Sequence, residues 1–476
     1  MDTVKITYSK DNHGECCYFT EEQLTSYGLR SSSDNITLTF GSLTVNVKKI
    51  INKNSQSSTL CLSETLKELI YIPENTELQV KKIAADHLEL GPLVGVFINS
   101  KKANYLKKKI SVAAYKQFDD ACKSLYGLIC LFSIEHIDWN RKLVKGFIRK
   151  NSQWIVQTLP LPLVIYDRNV DTNSRAQSME LRKKLSCEYH IINTMAKLKK
   201  LETINALIKN PKLKALIPET IPYRSEKDVV EKLSRIPSLY LKPDSLSKGN
   251  GVFRISKKTN NDYILEYRTK EDNLIMNLHT LTDLNKYLRK FSLKGGGYII
   301  QEEIQKASFR GNPFDFRLLY QKDWQATWQP SGIAVRIAAP GSVITSPRSG
   351  GTVEKFSTII KEVFNEDIST KDGLYENVIK IGKEICLTIE DKFGDCVELG
   401  LDMTIDTKGK IWIIEVNGKP LKVSLKRLNN TALVARCNKR PIEYAVFLTG
   451  FQAADTELGG LKGSSVLQNN IGGDIL

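Results

Sequence analysis

The run ELGLDMTIDTKGKIWIIEVNGKP, from Glu398 to Pro420, sets two carboxylates and an amide, Asp402, Glu415 and Asn417, among long apolar residues. If Lys408 and Gly409 form a two-residue turn, Asp402 falls directly opposite Glu415 on a hairpin. A four-residue loop from Asp406 to Gly409 keeps the pair on one face, whereas a three-residue bulged loop breaks the match. Alternation also places Asn417 on the face of Glu415. Converging carboxylates repel one another unless a cation sits between them. Hard oxygen donors without His or Cys suit Mg²⁺, which binds through one or two carboxylates and completes its shell with waters and phosphates. The alternative is a solvent-facing strand side on which acidic residues coincide.

Upstream, YLKPDSLSKGNGVFRI puts Lys242 at the end of a strand and Ser245 to Gly251 in a small-residue loop. Glycine lets backbone N–H groups approach phosphate oxygens, and lysine supplies a point charge. No Walker A spacing is present, and the FRI run after the loop reads as strand rather than helix. An ordinary turn is the competing reading. In FDFRLLY, alternation sets Asp315 and Arg317 opposite Phe314, Phe316 and Leu318. In SGIAVRIAAPG, Arg336 shares its face with Ala334 and Ala338, whose small side chains leave room for a ligand. Arginine grips phosphate or carboxylate bidentately; a structural ion pair, Asp315 with an arginine for example, is the alternative. GGGYIIQEEI ends a strand in Gln301 to Ile304, where exposed backbone can meet an adenine edge.

These residues need a framework of strands. The chain has 476 residues, 41% apolar and 26% charged, an ordinary globular composition long enough for roughly three domains at about 150 residues each. Residues 1–87 hold short β-leaning runs such as ITLTF and LTVNVKKI and read as a β-rich domain. From Leu88 to Ile98, LELGPLVGVFI reads as one buried strand. With YGLICLF and WIVQTLPLPLVIYD it suggests a small α/β domain over 88–175. A helix-rich stretch from Arg182 to Lys214 precedes the strands that carry the polar residues. Residues 453–476, rich in Gly, Ser and Asn, read as a loose tail.

The balance of 69 Lys and Arg against 53 Asp and Glu, 69 − 53 = +16, favours anionic partners. No zinc-finger spacing, heptad-linked basic region or RNP-like motif points to specific nucleic-acid binding. Nine scattered Cys without C-x-x-C, and only five His, argue against a zinc site or a disulfide framework. No apolar run approaches the roughly 18 residues of a membrane span and the N-terminus lacks an apolar signal-like segment, so the sequence reads as cytoplasmic.

The order of elements resembles the ATP-grasp superfamily of carboxylate-amine ligases: Lys strand, small-residue loop, hinge strand, D-x-R strand, Arg strand, then D and E-x-N on a hairpin. From LGPLVGVF through YLKPDSLSKGNGVFRI, YIIQEEI, PFDFRLLYQKDW, GIAVRIAAPGS, SGGT, ELGLDMTID and IWIIEVNGKP to RPIEYAVFLTGF, it looks like the endospore-coat-associated YheC/YheD group. The resemblance covers residues 88 to 452. It implies an α/β (α+β) protein with an ATP-grasp domain over 180–452, preceded by the small α/β domain and the N-terminal β-rich domain. It further implies ATP and one or two Mg²⁺ ions as cofactors. Asp402, Glu415 and Asn417 match the metal ligands, and Lys242 a phosphate contact. Ser245, Ser247, Lys248, Gly249 and Gly251 lie in the loop over the phosphates. Lys200, with Lys199 as a close rival, stands where an earlier phosphate lysine falls, and Gln301, Glu302 and Ile304 frame the adenine. Asp315 joins the cofactor side, and Arg317 and Arg336 match the catalytic positions that hold transferred phosphate and acyl groups. Gly350 and Gly351 fall in a substrate-side turn. Two departures lie on that side: Pro347 and Arg348 replace smaller polar residues, and no Gly follows Pro420.

The activity implied is ligation of a small-molecule or peptide carboxylate to an amine through an acylphosphate, with release of ADP and phosphate. The alternative is a catalytically silent nucleotide-binding protein associated with the spore coat, with coat or cell-wall components as partners. Presence of the three metal-ligand types and the phosphate lysine favours activity, because a purely structural hairpin has no need of them.

Overall fold

The computed structural model describes residues 2–10, 13–30, 33–52, 56–110, 112–169, 174–185, 187–194, 198–245, 251–259, 262–268, 273–290, 297–342, 345 and 350–451. They divide into two compact units, 2–194 with 322–327 and 435–451, and 198–321 with 328–434.

The first unit opens with a closed barrel whose strands run in the order Asp2–Ser9, Thr59–Ser63, Cys16–Phe19, Leu43–Ile51, Asn35–Phe40, His87–Gly91 and Glu77–Ala84. Alternation builds it: Ile36, Leu38 and Phe40 point into the core while the residues between them are more exposed. Gly41, at φ +56°, turns the chain between Phe40 and Leu43, a backbone region glycine enters without a Cβ penalty. The apolar run Leu88–Ile98, expected as one strand, is two. His87–Gly91 belongs to the barrel and Leu93–Phe97 to a following sheet. Leu90 and Gly91 at the end of one strand and every residue of Leu93–Phe97 are buried, so the apolar run continues across Pro92 and pattern alone does not mark the division.

Leu93–Phe97 is buried at every residue and pairs in parallel with Leu128–Phe132 on one side and Val164–Asp167 on the other, the continuous apolar signature of a strand covered on both faces. His190–Ile192 extends this sheet alongside Val164–Asp167.

The second unit contains two sheets. One has the order Thr220–Tyr223, Tyr298–Glu302, Ser238–Pro243, Phe253–Lys257, Tyr263–Arg268 and Asn273–Leu278. In Ser238–Pro243, Leu239 and Leu241 are fully buried, which turns Tyr240 and Lys242 to the opposite face. The other has Thr352–Glu354, Trp328–Ile337, Asn312–Lys322, Glu398–Ile405 and Ile411–Asn417 in that order. Glu398–Ile405 is buried throughout. Helix Leu374–Phe393 packs Val378, Gly382, Ile385, Cys386 and Ile389 inward at helical spacing. Gly382 permits the close approach: a Cβ there would stand 2.6 Å from the Tyr320 ring and 2.7 Å from Leu318 Cδ2. The helix therefore covers the Leu318 and Tyr320 face and leaves Asp315 and Arg317 on the other.

Candidate functional site

Asp402 lies opposite Glu415, but by neither simple loop. Ile405 pairs with Ile411, Thr404 with Trp412 and Met403 with Ile413, a register that would carry Asp402 to Ile414. A shift between Asp402 and Met403 then returns Asp402 to Glu415, Leu401 to Val416 and Gly400 to Asn417. One extra residue in the second strand is a β-bulge, which re-aims side chains. The hairpin end is built by Asp406, whose Oδ1 accepts the Lys408 and Lys410 N–H groups, both at 2.9 Å.

On the other side, Arg317 pairs directly with Asp402. Arg317, Asp402 and Glu415 thus form one cross-strand row, with Leu319, Gly400 and Asn417 in the next. Gly400 makes room: a Cβ would meet Pro420 Cβ at 2.6 Å and Arg317 Nη1 at 3.2 Å.

An ionised carboxylate offers about four acceptor positions, and those of Asp402 are taken. Oδ1 accepts Arg317 Nε at 2.5 Å and Arg336 Nη2 at 3.2 Å, while Oδ2 accepts Arg317 Nη2 at 2.9 Å and Asn417 Nδ2 at 3.3 Å. Burial works to raise the Asp402 pKa, but Arg317 and then Arg336 outweigh it and hold the group below the usual carboxylate range. Arg336 Nε also donates to Asp315 Oδ1 at 2.5 Å, and Thr345 donates its hydroxyl to Asp315 Oδ2. Asp315, 5% exposed, therefore orients Arg336 as a structural ion pair. Burial of Arg336 opposes its charge, and Asp315 and Asp402 reverse that effect and keep the guanidinium firmly protonated.

Lys200 Nζ stands 3.6 Å from Glu415 Oε1. Lys242 Nζ donates to Gln301 Oε1 at 2.5 Å, and Gln301 Nε2 donates to Thr220 Oγ1 at 3.0 Å. Gln301 therefore holds the lysine with its own side chain. Lys242 is pulled down to about 7, first by burial and then by Lys306, with Lys200 adding to the fall and Glu415 and Asp315 opposing it. Five basic side chains, Lys200, Lys242, Lys306, Arg317 and Arg336, thus converge on three carboxylates, Asp315, Asp402 and Glu415. A surplus of positive charge suits a polyanion. A cleft beside Lys200 and Glu415 has apolar walls from Ile204, Leu207, Ile217, Ile413 and Val416.

At the end of the Tyr298–Glu302 strand, the Glu302 N–H donates to the Glu219 carbonyl and the Ile304 carbonyl accepts from Lys306, both at 2.9 Å. The Ile304 N–H has no acceptor among the described residues. Ser245 follows the Lys242 strand, and Gly251, at φ +70°, approaches the Tyr298 hydroxyl and Pro243. Ser247, Lys248 and Gly249 lie outside the described residues, as do Pro347 and Arg348. Gly350 and Gly351 lead into Thr352–Glu354, which pairs with the Arg336 strand. Lys199 faces a separate cleft shared with Asp244 and Lys392, so Lys200 is the lysine at the acidic cluster.

Sequence reasoning missed Lys306, Thr345, Gly400 and Glu303. Glu303 accepts from Arg254 at 2.8 and 3.0 Å and from Tyr240 at 3.3 Å, and Ser238 donates to it as well. Burial pushes its carboxyl up, yet the Arg254 and Ser238 bonds hold it below the usual range. Its signal was the second acid of QEEI.

Magnesium can be tested against these donors. The Glu415 carboxylate and the Asn417 amide oxygen are hard donors of the type it takes. Asp402 joins them only by exchanging an arginine contact. Among the described residues no group of three or more His, Cys, Asp and Glu is arranged to hold a metal. The donor chemistry fits Mg²⁺, with Asp402 as the conditional member.

A lysine-bearing sheet and a sheet carrying D-x-R, Arg, Asp and E-x-N define an ATP-grasp protein. The family model described as YheC/D like ATP-grasp matches residues 188–448, and the chain belongs to that family. It is 24% identical over 473 residues to the endospore coat-associated protein YheD of Bacillus subtilis (strain 168), covering 94% of this chain and 97% of that one. The endospore coat-associated protein YheC of the same organism is 25% identical over 217 residues, 45% of this chain and 57% of that one. Among solved structures, D-cycloserine synthetase DcsG is similar at TM-score 0.45 and 11% identity, over 74% of this chain and 100% of that one. The D-alanine-D-alanine ligase from Coxiella burnetii is similar at TM-score 0.41 and 10% identity, over 75% and 97%. Among the described residues no helix is long and apolar enough to cross a membrane.

Proposed function

We propose that the protein is an ATP- and Mg²⁺-dependent ligase that joins a carboxylate to an amine. The observation that carries this reading is the convergence of Lys200 and Lys242 with the Arg317, Arg336, Asp402 and Glu415 cluster in one unit of an ATP-grasp family member. Such a cluster has charge for a triphosphate.

In the proposed reaction a substrate carboxylate oxygen attacks the γ-phosphorus of ATP. The bond to the β,γ-bridging oxygen breaks, ADP leaves with that electron pair, and an acylphosphate forms. The amine then attacks the acyl carbon, loses a proton and expels phosphate, leaving an amide. Lys200 and Lys242 hold the phosphates. Arg336, oriented by Asp315, and Arg317 face the transferred phosphoryl and acyl groups, where fixed positive charge stabilises developing negative charge. The Ile304 N–H meets the adenine edge, with Gln301 and Glu302 beside it. When bound, Mg²⁺, as one or two ions held by Glu415, Asn417 and Asp402, would neutralise phosphate charge.

Both relatives are named as endospore coat-associated, which favours one second reading, a nucleotide-binding coat protein without turnover. Cytoplasmic residence with coat association accommodates either. Purified protein incubated with ATP, Mg²⁺ and pools of amino acids and wall precursors separates them: ADP release with new amide masses supports the ligase, and binding without turnover supports the coat reading. If ATP is neither bound nor consumed, both fail.

A further inference from the structure

Helix Lys200–Ile208 begins without a cap of its own, because Lys199 at the N-cap position makes no side-chain bond to the first turn. A helix start leaves four N–H groups without intrahelical acceptors. The first regular bond of the helix runs from the Thr203 N–H to the Lys199 carbonyl at 3.0 Å, which also accepts the Thr203 hydroxyl at 2.7 Å. Two of the four are met from a distant strand end: the Lys200 N–H donates to the Asp244 carbonyl at 3.1 Å, and the Leu201 N–H to Asp244 Oδ1 at 2.8 Å. Asp244 directly follows Ser238–Pro243, the strand that carries Lys242. Its own N–H donates to the Gly297 carbonyl at 2.9 Å, just before the strand that carries Gln301. A half-buried carboxylate placed this way also gains from the helix dipole.

We infer that Asp244 is a positioning residue for the nucleotide site, a cap supplied from 43 residues along the chain that fixes the Lys200 helix against the Lys242 strand. The inference rests on the nucleotide reading proposed above. Two ammonium groups that repel one another meet the phosphates of one ATP only if their backbones are held together. Gln301 fixes the Lys242 side chain and Glu415 faces Lys200, but Asp244 joins the two backbones directly.

The test uses the full chain as wild type, D244A and D244N, with amide hydrogen exchange over residues 199–204, and calorimetric ATP affinity with and without Mg²⁺. Asparagine keeps an acceptor at Oδ1 and alanine removes it. D244A is expected to speed exchange at Leu201, whose side-chain acceptor it removes, and to weaken ATP binding roughly tenfold, the size of one lost helix cap. D244N is expected to stay within about threefold of wild type. Faster exchange in D244A with wild-type ATP affinity overturns the positioning role, and unchanged exchange overturns the cap. A wild type that does not bind ATP overturns the nucleotide reading and the positioning role with it, while exchange still decides the cap. Should D244A fail to fold, D244S, whose hydroxyl reaches one bond less far, gives the same comparison.

Discussion

ATP binding should weaken steeply above neutral pH, through Lys242. With its ammonium pulled down to about 7, about half of the free protein carries the charge at pH 7, about one molecule in eleven at pH 8 and about one in a hundred at pH 9. Phosphates beside it restore the charged form, so the competent fraction sets the apparent affinity. ATP affinity should fall about fiftyfold from pH 7 to pH 9, with uptake of about 0.9 proton per ATP at pH 8. Stability of the free protein moves the other way. The unfolded chain holds this proton up to its ordinary value near 10.4 and the folded chain only to about 7. Between these limits the unfolded state binds more protons, so Lys242's contribution to stability improves as pH rises. Calorimetry at pH 7, 8 and 9, in buffers of different ionisation enthalpy, reads both affinity and proton uptake. K242R, charged throughout, should flatten the profile, and K242M should lose both slope and affinity. A flat wild-type profile, or a slope that persists in K242M, refutes the reasoning.

Three further outcomes follow from the cluster. R317M leaves the buried Asp402 carboxylate short of its bidentate partner and should cost about 3–5 kcal/mol, read by denaturant unfolding. G400A forces a Cβ against Pro420 and the Arg317 guanidinium; it should cost about 1–3 kcal/mol and lower turnover beyond that loss, read by kcat on the folded fraction. E415Q alters a half-buried residue that is more accessible than Asp402, so its melting temperature should stay near wild type while Mg²⁺-dependent ADP release falls at least about a hundredfold.

Strand periodicity showed that Glu415 and Asn417 share a face, because a two-residue repeat decides it within one strand, whereas the facing of Asp402 and Glu415 depended on the loop and is restored only by the bulge. It did not show the bulge at Ile414, since the turn DTKGK admits several loop lengths and register is settled by packing. Arg317 and Arg336 were legible singly, each as a candidate to grip a ligand or to form a structural ion pair. Their meeting at Asp402 was not, because the pairing of Arg317 with Asp402 spans 85 residues and depends on strand order. Asp244 sat unnoticed in KPDS for the same reason: its carboxylate caps a helix that begins 44 positions earlier, at Lys200. The N-terminal runs read as β-rich, but barrel closure rests on pairings such as Asp2–Ser9 with Thr59–Ser63, which local pattern does not encode.

The ligase reading is tested most directly with a carboxylate substrate labelled with ¹⁸O, found by screening pools for ADP release. Attack of that carboxylate on ATP followed by amine capture must leave one labelled oxygen in the released phosphate. Phosphate carrying one ¹⁸O, formed together with the amide and lost in E415Q, is the predicted result. ADP formed with unlabelled phosphate, or label that stays entirely in the acyl product, contradicts the acylphosphate route.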